Sequence, residues 1–155
     1  MGVRFEDGSP EQLFHALHRK HSIAVDTLLY RRGLGNIGQP MILTILSQRK
    51  DGTIASQKEL AKILRVSPAT VTVSLKSMER DGYIKKLVNT QDQRCKPITI
   101  TEKGRDAAHR VNDVFAMLDA GIYRGFTQEE LDTVSGFYRR MLENLDAVVS
   151  DGQDS

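Results

Sequence analysis

The sequence predicts a mainly α-helical protein that carries one small β-hairpin. Three observations support this fold class. Several segments begin with helix-capping patterns, two short helices near the middle are joined by a very short turn, and an alternating apolar and polar stretch follows them. The chain has 155 residues, which is enough for one domain with a substantial core. We therefore expect residues 1–155 to form a single domain.

Six helices are predicted from start and stop patterns. Ser9, Ser56 and Thr127 are each followed three residues later by Glu or Gln, which is the capping-box pattern. Between these starts and the turns that contain glycine, apolar residues recur with helical spacing. The predicted helices cover residues 9–30, 41–50, 56–66, 67–81, 101–122 and 127–148.

Residues 67–77, SPATVTVSLKS, are ambiguous, because their centre alternates polar and apolar β-branched residues like a strand. Each β-branched residue costs at most about 0.7 kcal/mol in a helix relative to Ala. In a helix, however, Val71, Leu75 and Met78 form one stripe, and burying each such side chain is worth about 1.5–3 kcal/mol. Packing outweighs propensity, and Ser67-Pro68 supplies an N-cap and a first helical position. The segment is therefore predicted to be a helix.

The helical interpretation gives this segment an unusual outward face. Val73 lies about 200° around the helix from Val71 and points away from the core, together with Ala69 and Lys76. The face stays small, uncharged or basic for three turns, until Glu79. A solvated helix favours acids in its first turn, whereas a helix that faces phosphates excludes them. Small side chains allow close approach to a DNA major groove, and an outward valine suits a thymine methyl group. An ordinary surface helix is the alternative.

A β-hairpin is predicted directly after this helix. Residues 83–89 and 96–101 alternate apolar and polar side chains around a polar, charged tip. Arg94 and Lys96 leave the tip, where an arginine can enter a narrow minor groove. Asp92 is expected to orient Arg94 through a charge-assisted hydrogen bond. The hairpin is thus a candidate wing beside a helix-turn-helix.

Composition and charge narrow the class of protein. No apolar stretch approaches the about 20 residues that cross a membrane, and the N-terminal residues lack the apolar core of a secretory signal. Residues 56–104 contain 10 Lys and Arg against 5 Asp and Glu, whereas residues 105–155 contain 5 against 10. The basic middle segment indicates a polyanionic partner, with a solvated face as the alternative. We expect a cytoplasmic protein without a membrane partner.

The order and spacing of these features resemble the MarR (multiple antibiotic resistance regulator) family. The resemblance covers roughly residues 10–148 and is strongest from SQKELAKILRVSPATVTVSLKSMERDGYIKK to DQRCKPITITEKG. Three short motifs belong to it: Asp81-Gly82-Tyr83, Asp92-Gln93-Arg94 and Ile100-Thr101-Glu102-Lys103-Gly104. The resemblance implies a winged helix-turn-helix homodimer that binds a pseudo-palindromic, double-stranded DNA operator and usually represses transcription.

The resemblance also implies how the chain is organised. About 38–104 form the DNA-binding lobe, about 9–32 and 105–148 form dimerisation helices, and 149–155 form a loose tail. A dimer agrees with the residues themselves, because the first and last two helices carry more apolar surface than a head this small covers.

By position, the resemblance implies DNA contacts from the recognition helix and the wing. Many family members carry a basic side chain where this chain has Val73 or Ser77, so its base contacts are expected to differ. Lys96, which leaves the wing tip, is included as a further contact. The full set is Ser67, Ala69, Thr70, Thr72, Val73, Lys76, Arg94 and Lys96.

A small aromatic or phenolic effector is implied by the resemblance, bound between the dimer helices and the DNA-binding lobe. The sequence does not identify it. Tyr30, Arg31, Arg32 and Met41 lie near the expected pocket, although each of them is more simply explained as a packing or surface residue.

Other chemistry has little support in the sequence. His15, His18 and His21 have no further metal-ligand cluster nearby, so no metal is expected, and no cofactor is expected either. There is no nucleophile elbow, P-loop or dinucleotide fingerprint, which argues against an enzyme.

Two alternatives to a ligand-controlled DNA-binding protein stay open. Cys95 has basic neighbours that would lower the pKa of its thiol, which allows a redox-responsive regulator. The same winged helix would alternatively serve as a module that binds protein partners.

Overall fold

A computed structural model of the chain describes residues 7–35, 37–88 and 96–151. It contains two compact units, Met1–Leu118 and Asp119–Ser155. The fold class is confirmed, with all six predicted helices and a small sheet. The elements are α1 (Pro10–Arg31), α2 (Met41–Gln48), β1 (Thr53–Ile54), α3 (Gln57–Leu64), α4 (Pro68–Arg80), β2 (Ile84–Lys86), β3 (Ile98–Ile100), α5 (Glu102–Ile122) and α6 (Gln128–Asp151).

The helices begin where the capping patterns predict. Ser9 and Ser56 each accept a hydrogen bond, 3.2 Å long, from the backbone N–H three residues further on. At the start of α6 the box is reciprocal: the Thr127 hydroxyl accepts from the Glu130 N–H at 3.3 Å, and the Glu130 carboxylate accepts from the Thr127 N–H at 2.8 Å. α6 continues to Asp151, so residues 149–151 are helical and not part of a loose tail.

The sheet has three antiparallel strands in the order β1-β3-β2. The sequence did not predict β1, since a strand of two residues is too short to show alternation. It pairs Ile54 with Ile98, which extends the hairpin to the loop after α2. The predicted strands 83–89 and 96–101 shorten to Ile84–Lys86 and Ile98–Ile100. The predicted tip, with Asp92, Arg94 and Cys95, lies outside the described residues.

The core of the first unit fixes how α4 is oriented. Apolar side chains from helices α1 to α5, from the loop before α2 and from all three strands form one buried cluster. The fully buried members include Ile42, Leu43, Leu46, Leu60, Val71, Leu75, Met78, Ile98, Val111 and Val114. Because one side of α4 is locked into this cluster, its other side is presented outward.

Among the described residues, no helix is both long and apolar enough to cross a membrane.

The start of α5 packs directly against the backbone that precedes β2. A Cβ atom placed on Gly104 would lie 2.1 Å from the carbonyl oxygen of Tyr83 and 2.7 Å from Ile100 Cγ1. Backbone atoms cannot move away cheaply, so this position requires glycine.

Gly104→Ala is therefore expected to lower the free energy of unfolding by about 2–3 kcal/mol, as overpacked cores do. Urea denaturation of the purified protein measures the effect. Gly121→Ala is the control in the same helix, because nothing lies within 4 Å of a Cβ placed there. This substitution should raise the free energy of unfolding by about 0.5–1 kcal/mol, because alanine favours a helix more than glycine does. Equal, small effects of the two substitutions would contradict the tight packing at Gly104.

Candidate nucleic-acid interface

The N-terminus of α4 is built by a cap and a tight turn. Ser67 has an extended backbone and its hydroxyl accepts from the Thr70 N–H at 3.2 Å, while Pro68 occupies the first helical position. The turn from α3 passes through Arg65, which has a φ of 53°. Among the described residues it is the sole non-glycine residue with positive φ. The predicted helix start and the predicted short turn are both confirmed.

The two sides of α4 differ as the helical interpretation predicts. Val71, Leu75 and Met78 are fully buried, whereas the side chain of Val73 is 69% exposed. No acidic residue lies in the first turn. We call the outward side of α4 the recognition face, and it comprises Ser67, Ala69, Thr70, Thr72, Val73 and Lys76.

The structure brings six of the eight predicted contact residues together on this face. Ser67, Ala69, Val73 and Lys76 are exposed, and Thr70 and Thr72 are half-buried at its edges. Lys96 is exposed just before β3. Arg94 lies outside the described residues.

The hydroxyl groups of the recognition face are bound to other protein atoms. The Ser67 and Thr70 side-chain oxygens lie 2.8 Å apart and share one hydrogen bond. The Thr72 hydroxyl lies 2.9 Å from the carbonyl oxygen of Pro68 and 3.1 Å from Oε1 of Gln57 in α3. These bonds fix the side-chain rotamers of the face before any partner arrives.

Charges near the C-terminal end of α4 are neutralised in ion pairs. Arg80 Nε lies 2.9 Å from Asp81 Oδ1, and Lys86 Nζ lies 3.3 Å from Glu79 Oε2. The hydrogen bond from Arg80 holds the pKa of the Asp81 carboxyl below its usual range. Lys76, by contrast, makes no ion pair with any residue that the structure describes. The positive charge available on the recognition face is therefore that of Lys76.

Ser74 of α4, which the sequence patterns did not predict as a functional residue, forms a hydrogen bond with the loop before α2. Ser74 is only 4% exposed, and its hydroxyl accepts from the Gln39 N–H at 3.2 Å. Gly38 has a φ of 76°, and a Cβ there would lie 2.9 Å from Ser74 Oγ. The signal in the sequence was a small polar residue beside the buried stripe of α4, but its partner is 35 residues away.

A cavity of about 270 Å³ lies on the other side of this loop, between α1, the loop, the start of α2 and Phe115 of α5. Its lining combines the polar side chains of His18, His21 and Asp26 with apolar side chains such as Leu29. Of the four residues that the sequence placed near a pocket, Met41 lines this cavity, whereas Tyr30, Arg31 and Arg32 are not among its lining residues.

The histidines of α1 do not form a metal centre in the described part of the chain. No group of three or more His, Cys, Asp or Glu side chains there is arranged to hold a metal ion.

Each terminal helix presents exposed apolar side chains. On α1, Leu13, Phe14 and Leu17 are about half exposed. The second unit has a longer set on α6: Phe137, Tyr138, Met141, Leu142, Leu145, Val148 and Val149. Apolar patches of this kind mark interaction surfaces.

Comparisons with known proteins agree with this geometry. The MarR family model matches residues 36–96. An uncharacterized HTH-type transcriptional regulator, YwhA of Bacillus subtilis (strain 168), is 30% identical over 123 residues, which cover 78% of this chain and 86% of YwhA. The HTH-type transcriptional repressor YetL of the same organism is 31% identical over 114 residues, which cover 74% of this chain and 67% of YetL.

A solved structure has the same fold. The crystal structure of an S. aureus MepR–DNA complex matches with a TM-score of 0.79 at 22% identity, covering 89% of this chain and 99% of that chain. At this identity the likeness concerns the fold alone.

Proposed function

Because this chain belongs to the MarR family of transcriptional regulators, we propose that it is a repressor that binds a pseudo-palindromic DNA operator as a homodimer and releases it when a small molecule binds. The observation that carries the proposal is the recognition face of α4, which is exposed, preorganised and free of acid over its first turn. The relative YetL is named a repressor, which supports the direction of regulation.

The recognition face suits the major groove of DNA. Ala69 and Val73 offer small apolar surfaces for close approach and for thymine methyl groups. Lys76 supplies positive charge for a phosphate, and Ser67 and Thr70 lie at the helix N-terminus, where phosphates bind favourably. The wing residues Arg94 and Lys96, and Thr72 on the face, complete the proposed contact set.

A homodimer would cover the exposed apolar side chains of the terminal helices. Leu17 on α1 is 47% exposed and Leu145 on α6 is 54% exposed. A two-fold axis lets the same patch of each subunit cover its copy. It would also present two recognition helices to successive major grooves about 34–36 Å apart.

The cavity beside the loop is the proposed effector site. Its volume suits a small aromatic molecule, and His18 and His21 supply polar groups for a phenolic or carboxylate substituent. Gly38 and Gln39 line the cavity and also contact α4, so a ligand that moves this loop would move the recognition helix. Such a ligand needs only to prefer a dimer whose helices are wrongly spaced for DNA.

Salt dependence tests whether the partner is DNA. Binding of the purified protein to a 30-base-pair duplex is measured by fluorescence anisotropy between about 50 and 200 mM salt, a range over which several phosphate contacts would cost orders of magnitude in affinity. A steep linear fall of log affinity with log salt is expected. If duplex DNA does not bind, or if binding does not change with salt, the chain is a protein-interaction module instead.

Arg94→Ala is expected to weaken operator binding by about 1–2 kcal/mol and to flatten the preference for A·T at flanking positions, because a minor-groove arginine responds to groove width. Binding to operator duplexes that differ only at those positions measures both effects. Lys96→Ala is the matched control, and it should lower the salt slope by about one without changing the A·T preference. Unchanged affinity of Arg94→Ala would remove Arg94 from the interface.

A further inference from the structure

Helix α3 contributes a side chain to the edge of the recognition face. Gln57 is the first residue of α3, and its Oε1 lies 3.1 Å from the Thr72 hydroxyl, across 15 residues of sequence. Both residues are half-buried. Around α4, Thr72 lies at the boundary between the buried side, which holds Val71, and the recognition face, which holds Val73. Because Gln57 contacts Thr72, it borders the recognition face from α3.

The hydrogen-bonding capacity of the two side chains assigns them different roles. Thr72 has one hydroxyl proton, and both of its neighbours at bonding distance, Pro68 O and Gln57 Oε1, are protein oxygens. Gln57 keeps an amide group with two N–H donors. That amide donates no hydrogen bond to any other residue in the described part of the chain. The donor capacity at this edge therefore belongs to Gln57 and not to Thr72.

The surroundings of Gln57 favour an electron-rich partner. The one acid in the first turn of α3, Glu59, is held by Arg49 at 2.9 Å, so its charge is compensated. Lys58, the residue after Gln57 in α3, and Lys76, four residues after Thr72 in α4, are both exposed. These charges of the described residues favour a hydrogen-bond acceptor of DNA as the partner of Gln57.

We propose that Gln57 is a DNA-contacting residue outside the recognition helix and that the Thr72 hydroxyl positions it, which leaves the methyl group of Thr72 as its own contact with DNA. The proposal rests on the proposed function, because it requires α4 to lie in a DNA groove. The Gln57 amide donates to an acceptor at the groove edge, either a phosphate oxygen or a base acceptor. A glutamine that forms two hydrogen bonds to adenine is a standard base contact, and amides also bind phosphates.

A double-mutant cycle tests this assignment on a duplex that wild-type protein selects from random DNA. Gln57→Ala and Thr72→Val are each expected to weaken binding by about tenfold, the value of one lost hydrogen bond to a polar acceptor. The double variant should lose little more than either single variant, because both remove the same contact. Thr72→Ser keeps the hydroxyl and should bind within about twofold of wild type, and urea denaturation checks that all variants fold.

The outcomes separate the possible contacts. Gln48→Ala, at the exposed end of α2, is the matched control and should leave affinity unchanged. A base contact shows as relaxed sequence preference at one position of the site, and a phosphate contact as a uniform loss across sequences. Wild-type affinity of Gln57→Ala, or additive losses in the double variant, would overturn the proposal. Failure of wild-type protein to bind any duplex would instead overturn the proposed function on which it rests.

Discussion

Val73→Glu is expected to abolish specific DNA binding, with a loss of at least about 1,000-fold in affinity, the usual margin between specific and non-specific binding. The side chain of Val73 is 69% exposed at the centre of the recognition face. A carboxylate there would meet phosphates and base acceptors and would lose the contact with a thymine methyl group. Fluorescence anisotropy with a selected duplex measures the loss.

The same substitution should leave folding untouched, which separates a contact role from a core role. Val71→Glu is the control two residues away, because Val71 is fully buried and a carboxylate there would unfold the chain. Circular dichroism and urea denaturation compare the two variants. A misfolded Val73→Glu protein would place Val73 in the core, and a folded variant with full affinity would remove α4 from the interface.

Leu145→Glu is expected to produce a monomer and to lower operator affinity by about 100- to 1,000-fold, because the second half-site then no longer gains from effective concentration. A two-fold interface would bring the two introduced carboxylates into apolar surroundings, which is costly for unpaired charges. Sedimentation equilibrium measures the oligomeric state, and anisotropy measures binding.

A neighbouring substitution controls for changes in charge and helix propensity. Glu143→Gln lies two residues away, on a different side of α6, and is expected to leave both dimer and affinity unchanged. A Leu145→Glu protein that stays dimeric would show that α6 does not form the interface. A wild-type protein that is monomeric at micromolar concentration while binding its operator would contradict the homodimer itself.

The spacing of apolar residues along the chain predicted most of the helices that position the recognition face. In α4, the spacing of Val71, Leu75 and Met78 fixed which side is buried and therefore which side Val73 occupies, and the structure confirms both. Local patterns sufficed because a cap, a helix phase and a turn depend on residues only a few positions apart. The motifs of the same region carried the resemblance to the MarR family, which the comparisons confirm.

The interactions that sequence reasoning missed join residues far apart in the chain. Gln57 meets Thr72 from another helix, and the Gln39 N–H meets Ser74 across 35 residues. No local pattern marks such pairs, since each partner alone is an ordinary polar residue. Strand β1 was missed for a related reason, because its two residues acquire meaning only by pairing with β3.

Selection of random duplex DNA by the purified protein, followed by sequencing, tests directly whether the chain recognises a two-fold symmetric site. We expect one enriched pseudo-palindromic sequence whose two half-sites are centred about 10–10.5 base pairs apart, as two recognition helices on a two-fold axis require. The Val73→Glu protein should enrich no sequence under the same conditions. Failure of the wild-type protein to enrich any sequence, or enrichment of a site without two-fold symmetry, would contradict the proposed binding of DNA by a homodimer.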